Sequence, residues 1–401
     1  MIYLFLVLGV INIMGVSFSV WPEYYGVEAA SVMSTMSIST GLGIVGAFFL
    51  GAVYRKITPR RAMIIGALLV FAMGAVLQVP KLPFLCLFMV LEALTATFCI
   101  HTAASAICVR WFVKDVSSKI GLCVMSGVIG GAVFVLLSGF FVPLLGIAKW
   151  WLVACLVSGV GALFCAVVLV RDTPESLGQL PYGYDPQAAA VQEAAAAQGG
   201  STTKQLFQNP AFWVIGLAIL LGGFVVVLFS SYTTAFLTSC GVPLTVASGI
   251  YSVILFAGGV LSFVSGKIID KIGVKAFVVM IFLSGIVGCL AFAHCGSVTP
   301  GVGMYVVLCL CCAMNYPMMM IANFISAPLF GRALSDDAMG KLTTFMSMSS
   351  CLLNVVFARL LGAMGYVPVY RIWAVVTAVA FVIFLAGLAM GEKRRKKETA
   401  C

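Results

Sequence analysis

Twelve apolar runs, most of them about 20 residues long and joined by short polar or basic connections, dominate this sequence. A helix needs roughly that length to cross the hydrocarbon core of a bilayer. The runs lack the ten-residue alternation of a membrane β-barrel, so they read as helices. Composition agrees: the 401 residues are 62% hydrophobic and only 9% charged, with a mean hydropathy of +1.15. Soluble domains carry about a quarter charged residues. A water-soluble enzyme and a disordered chain are both excluded, and the expected fold is an all-α membrane protein.

The runs lie at about 2–24, 30–53, 62–79, 82–109, 119–143, 150–170, 211–237, 245–266, 275–295, 301–325, 341–364 and 368–391. Their connections alternate in charge. One set holds Arg55, Lys56, Arg60, Arg61, Arg110, Lys114, Lys119, Arg171, Lys204, Lys267, Lys271, Lys275, Arg332, Lys341 and the tail Lys393 to Lys397. That set takes 19 of the 23 basic residues; Lys81, Lys149 and Arg371 lie on the other side, and Arg359 lies within a span. The positive-inside rule therefore accounts for the net charge of +10 without nucleic acid, and it places both termini in the cytoplasm and the chain in the cytoplasmic membrane. The first run lacks a basic start and an A-x-A site, so no cleaved signal peptide is expected.

The longest polar stretch, 171–210, falls between spans six and seven. It divides the chain into a six-helix half at 1–170, a cytoplasmic linker at 171–210, a second half at 211–391 and a basic tail at 392–401. A repeat supports the division. GAVYRKITPRR (Gly51 to Arg61) and GKIIDKIGVK (Gly266 to Lys275) occupy the same place in each half, 215 residues apart. Parallel six-span repeats are a transporter architecture. The same offset applied to span seven places the start of span one before residue 1, so the chain is expected to begin about a turn inside its first helix.

The second loop, Gly266-x-x-x-Asp270-Lys271-x-Gly273-x-Lys275, resembles the loop signature of the major facilitator superfamily. The resemblance implies twelve helices in two pseudo-repeats and a gating role for Gly266, Asp270, Gly273 and Lys275, which latch the halves while the site faces outward. The first loop departs from the signature, with Arg55 for Asp and Thr58 for Gly, and its Arg60 and Arg61 are expected only to orient the loop. Arg110-Trp111-Phe112, the stretch Thr173 to Gly183 and Asn209-Pro210-Ala211-Phe212-Trp213 are similar to the monocarboxylate and oxalate–formate exchanger branch. That branch implies a small organic anion as cargo. The chain departs from the branch in having no Lys or Arg in span one and no charge in span eight before Lys267.

An ionisable side chain inside a span costs about 2.5–3.5 kcal/mol on insertion scales, so each one is a functional candidate. Glu92 stands about ten residues into span four, close to the bilayer midplane, where a carboxyl can carry a proton. The plainer reading is a protonated Glu bonded to a neighbouring helix, with Thr95 on its face. His101, nine residues on and on roughly the opposite face, is either a packed neutral imidazole or a proton relay. Arg359 can bind a carboxylate bidentately or simply snorkel to the membrane surface. Spans one, four, seven and ten line the cavity in the family, which makes Asn12, Tyr232, Asn315 and Tyr316 candidate substrate contacts, with Asn354 beside Arg359 in span eleven. Trp21, Tyr24 and Tyr25 read as interfacial belt residues, and Gly127 and Gly131 as close helix contacts.

No phosphate loop, HExxH or paired catalytic carboxylate occurs, and no metal, cofactor or enzymatic activity is expected. The 14 cysteines show no metal-ligand spacing. The expected function is secondary transport of a small organic anion, with a proton or a counter-anion, by a monomer in the bilayer. The alternative is export of neutral or amphipathic compounds, favoured by the scarcity of charge. A membrane sensor would need a larger soluble output domain than the linker offers.

Overall fold

The computed structural model describes residues 1–112, 116–183, 206–296, 301–330 and 332–400. Among the described residues ten helices are long and apolar enough to cross a membrane, and two shorter apolar stretches, Ile2–Ser17 and Leu82–Thr97, bring the number of spans to twelve. The two short ones are those in which the α-helical period is interrupted. Span one breaks at Asn12 and Ile13, between helices Ile2–Ile11 and Met14–Ser17. Span four passes from the α-helix Leu82–Leu94 into a π-helical stretch, Thr95–His101, before resuming as Thr102–Trp111. Spans eight and nine run together from Leu244 to Cys295 and are separated only at Gly273, whose φ of 81° and ψ of 157° are non-helical. Glycine occupies such a backbone without the steric cost that a Cβ imposes.

The chain forms two compact units, Met1–Ala189 with Ser231–Gly259, and Ala190–Ser230 with Val260–Cys401. In the first unit, spans one and five lie against each other along a glycine stripe. A Cβ on Gly130 would stand 2.0 Å from the Phe5 carbonyl oxygen, one on Gly127 2.5 Å from Leu8 Cδ2, and one on Gly131 2.8 Å from Asn12 Cγ. Small residues let backbones approach where burial of apolar surface supplies no drive. The segment Ser231–Gly259 packs in the same unit: Tyr251 fills the notch over Gly15, where a Cβ would meet its Cε1 at 2.6 Å. Thr245 and Ser252 donate to the carbonyls of Gly139 (3.0 Å) and Ala132 (2.7 Å) in span five.

At the end of this unit where the basic loops sit, the helix Pro59–Val76 is capped twice. Thr58 Oγ1 accepts from Arg61 N–H, and Asp172 Oδ1 accepts from Arg60 N–H at 2.9 Å. Arg60 does more than orient the loop: its guanidinium donates to the carbonyls of Ala166 (3.1 Å) and Val167 (2.6 Å). Those carbonyls belong to the π-helical end of span six, Cys165–Leu169, where helical carbonyls lack partners of their own.

In the second unit the core is a continuous apolar cluster that includes Phe212, Ile219, Phe277, Phe282, Met318 and Phe384. Span ten ends its α-helix at Asn315 and tightens into a 3-10 turn, Tyr316–Met320, with Pro317 at its start.

Candidate functional site

Burying a charged group is costly unless it is paired or hydrogen-bonded, so the position of Glu92 carries information. It lies on the helix Leu82–Leu94 and is 6% exposed. Phe88, Glu92 and Thr95 recur at helical spacing on one buried face of span four. The Glu92 carboxylate accepts a hydrogen bond from Ser39 Oγ on the helix Ala29–Lys56, span two. Thr95 Oγ1 donates to the Leu91 carbonyl at 2.8 Å and so serves its own turn. One turn beyond Ser39, a Cβ on Gly43 would touch Thr97 Oγ1 at 3.4 Å. Four residues of span two are thus matched by five of span four, the difference that an i→i+5 turn absorbs.

Phe88 belongs to a sealed aromatic cluster. Its ring centroid lies 5.7 Å from Trp21 and 5.1 Å from Trp151, while Phe18 contacts Trp21 and Tyr232, each at 5.4 Å. Trp151 Nε1 donates to Ser17 Oγ at 2.8 Å. Trp21 is therefore core and not an interfacial belt residue: at 1% exposed, it meets rings from three spans. Tyr24 reaches the carbonyl of Leu77 at 3.1 Å.

The other candidates occupy varied surroundings. Asn12 donates to the Leu8 carbonyl at 2.7 Å and faces Gly131. Tyr232 is buried against Phe18. Asn315 donates through Nδ2 to the Ile281 carbonyl of span nine at 3.0 Å, and a Cβ on Gly285 would stand 2.8 Å from that nitrogen; its Oδ1 has no hydrogen-bond partner. Tyr316 is buried beside it in the 3-10 turn. Asn354 and Arg359 share the helix Arg332–Met364 but not a face: Asn354 is fully buried, whereas Arg359 is exposed in a stripe with Leu352, Val355 and Val356. Lys275 is exposed just past the turn at Gly273. For His101, Gly266 and Asp270 the backbone alone is described, so their side-chain roles lie outside the described residues. Among the described residues no group of three or more His, Cys, Asp and Glu side chains is placed to hold a metal ion.

Sequence reasoning missed Ser39. The signal was present: Ser31, Ser34, Thr35, Ser37, Ser39 and Thr40 put six hydroxyls into one stretch of an otherwise apolar span. The segments that suggested an anion-exchanger branch have a structural use. Trp111 Nε1 donates to the Arg171 carbonyl at 3.0 Å, and Tyr182 N–H donates to the Trp111 carbonyl at 2.8 Å. The Phe112 and Tyr182 rings meet at 6.1 Å. In the second unit, Asn209 Oδ1 accepts from Ala211 N–H at 3.1 Å, and Phe212 and Trp213 pack with Phe207 and Phe345.

Comparison with known proteins extends the geometry. The nucleoside transporter NupG is similar in fold, with a TM-score of 0.75 at 16% identity over 96% of this chain and 97% of that one. A POT family transporter in complex with a thioalcohol-conjugated peptide gives 0.73 at 14% identity over 98% and 95%. A D-xylose–proton symporter gives 0.68 at 14% identity over 97% and 93%. No curated protein matches the sequence. The sequence profile of the Major Facilitator Superfamily matches residues 1–353, most of the chain, and the chain belongs to the Major Facilitator Superfamily.

Proposed function

We propose that this secondary transporter moves a small organic anion of the carboxylate class by alternating access, with Glu92 carrying a coupled proton. One observation carries the proton assignment: the Glu92 carboxyl is buried at mid-span and bonded to a hydroxyl of a neighbouring span. A carboxyl that trades a proton there changes the charge of the site between the two steps of the cycle. The anion assignment rests on the branch-like segments and on Arg359. The gating assignment of Gly266, Asp270, Gly273 and Lys275 is supported by the break that Gly273 makes between spans eight and nine. The basic-residue bias supports both termini in the cytoplasm.

The experiment is uptake of a panel of labelled mono- and dicarboxylates into proteoliposomes with an imposed pH gradient. Glu92→Gln is expected to abolish the dependence on the gradient, and Arg359→Gln to lower uptake at least about tenfold, the loss of a bidentate charge-assisted pair. Unchanged carboxylate uptake in both variants sinks the assignment. The exposed apolar stripe around Arg359 favours a second reading, in which this arginine only snorkels and the cargo is a neutral or amphipathic compound for export. Export of hydrophobic compounds that carboxylates fail to compete with would select it.

A further inference from the structure

Hydroxyls inside a helix ordinarily donate to a carbonyl of their own preceding turn. Span two shows the habit: Ser34 donates to the Ser31 carbonyl (2.7 Å), Thr35 to that of Val32 (2.7 Å) and Thr40 to that of Met36 (3.1 Å). Ser39, as buried as Thr35, is turned across the helix interface to the Glu92 carboxylate. Thr95, the nearest hydroxyl on Glu92's own helix, is engaged by the Leu91 carbonyl. The charged groups on the elements packed around Glu92 stand at their ends: Arg55, Lys56, Arg60, Arg61 and Arg110 at one end of spans two, three and four, and Glu23, Glu28, Lys81 and Lys149 at the opposite end. Tyr24, Tyr25 and Tyr54 are also terminal, as are Tyr3, Cys108 and Cys165 toward the basic end, while Cys86, Cys99, Cys155 and His101 are further titratable groups on these spans.

We propose that Ser39 is a positioning residue for the proton-carrying carboxyl, holding the Glu92 side chain toward span two and favouring its ionised form, so that it sets the pH at which span four takes up a proton. The inference rests on the reading of Glu92 as the proton carrier. A hydroxyl donating to a carboxylate makes a charge-assisted bond, stronger than the bond it makes to the neutral acid. On protonation the acid becomes a donor, and a rotated Ser39 hydroxyl can accept that proton's hydrogen bond. Its own hydrogen then returns to the carbonyl one turn back, as its neighbours' hydrogens do. One side chain thus serves both states of the carboxyl, but it prefers the charged one.

The test needs no knowledge of the cargo. The purified full-length protein, reconstituted in lipid, is titrated while the infrared carbonyl stretch of protonated carboxyls is followed. The Glu92 band is the one that Glu92→Gln removes. In Ser39→Ala its midpoint is expected to move upward by about one pH unit, a roughly tenfold gain in proton affinity, and in Ser39→Thr it is expected to return to the wild-type value. Size-exclusion profiles establish that each variant is folded. An unmoved midpoint in Ser39→Ala, or an equal displacement in Ser39→Thr, overturns the role of Ser39 while leaving Glu92 as the carrier. If Glu92→Gln removes no titrating band, the carrier assignment itself fails, and the inference falls with it. Should Ser39→Ala not fold, the decision passes to Ser39→Thr and Ser39→Cys. An intact midpoint in the first and a raised one in the second support the proposal, and any other pattern overturns it.

Discussion

Glu92 and Arg359 are both single charges within apolar spans, Arg359 about five residues from its span's end, and their helix faces separate them further. Glu92 was legible in the sequence because an unscreened carboxyl in a long apolar run is costly and therefore conspicuous. Its partner was not, since one hydroxyl among six is singled out only when spans two and four come together. Asn315 shows the converse: its amide is committed to the backbone of span nine, which no periodicity reveals. The tightest glycine was also hidden. The spacing of Gly127 and Gly131 pointed to close contact, but it is Gly130 whose missing Cβ would strike backbone rather than a movable side chain. Gly130→Ala is therefore expected to destabilise the protein by about 1–3 kcal/mol or more through overpacking. Gly121→Ala, in a helix and with nothing within 4 Å of the added atom, should stabilise slightly, by up to about 1 kcal/mol. Thermal unfolding in detergent compares the two, and equal stabilities would refute the account of spans one and five.

At the scale of elements, span four is unusual because its π-helical stretch lies directly after the carboxyl. π-Bulges are costly insertions that accompany functional sites. Here the extra residue keeps Ser39 facing Glu92 while Gly43 faces Thr97. Deleting Ala96 should restore α-helical bonding with four residues of span four against four of span two, keep the fold and weaken coupled transport by removing the widened turn beside the carboxyl. Undiminished coupling in the deletion protein would show that the π turn is incidental. A second element links the end of span four to the start of the linker, through Trp111 with Arg171 and Phe112 with Tyr182. A double-mutant cycle of Phe112→Ala and Tyr182→Ala, read by thermal unfolding, should give a coupling of about 0.5–1.5 kcal/mol, the range for an aromatic pair; no coupling would mean that the strap does not hold. Both features escaped sequence reasoning because hydropathy registers how apolar a run is and not how its turns are closed.

For the whole molecule, charge gives the expected orientation and apolar length the fold. A fluorescent protein fused after Cys401 should fluoresce and an alkaline phosphatase fused there should be inactive, because 19 basic residues favour the same side; the reverse result would invert the topology. Twelve apolar spans and their order were readable from the sequence, because a bilayer imposes one length and one hydrogen-bonding solution on every segment that crosses it. So were the loop at Gly273 and the isolation of Glu92, since both are departures from a uniform pattern. Which residues meet was decided by the tertiary structure alone. Inside a membrane the spans are almost uniformly apolar, so amphipathic periodicity no longer marks an inner face. Contacts such as Ser39 with Glu92, Trp21 with Trp151 and Arg60 with span six depend instead on the closeness that small residues permit and on polar groups finding partners.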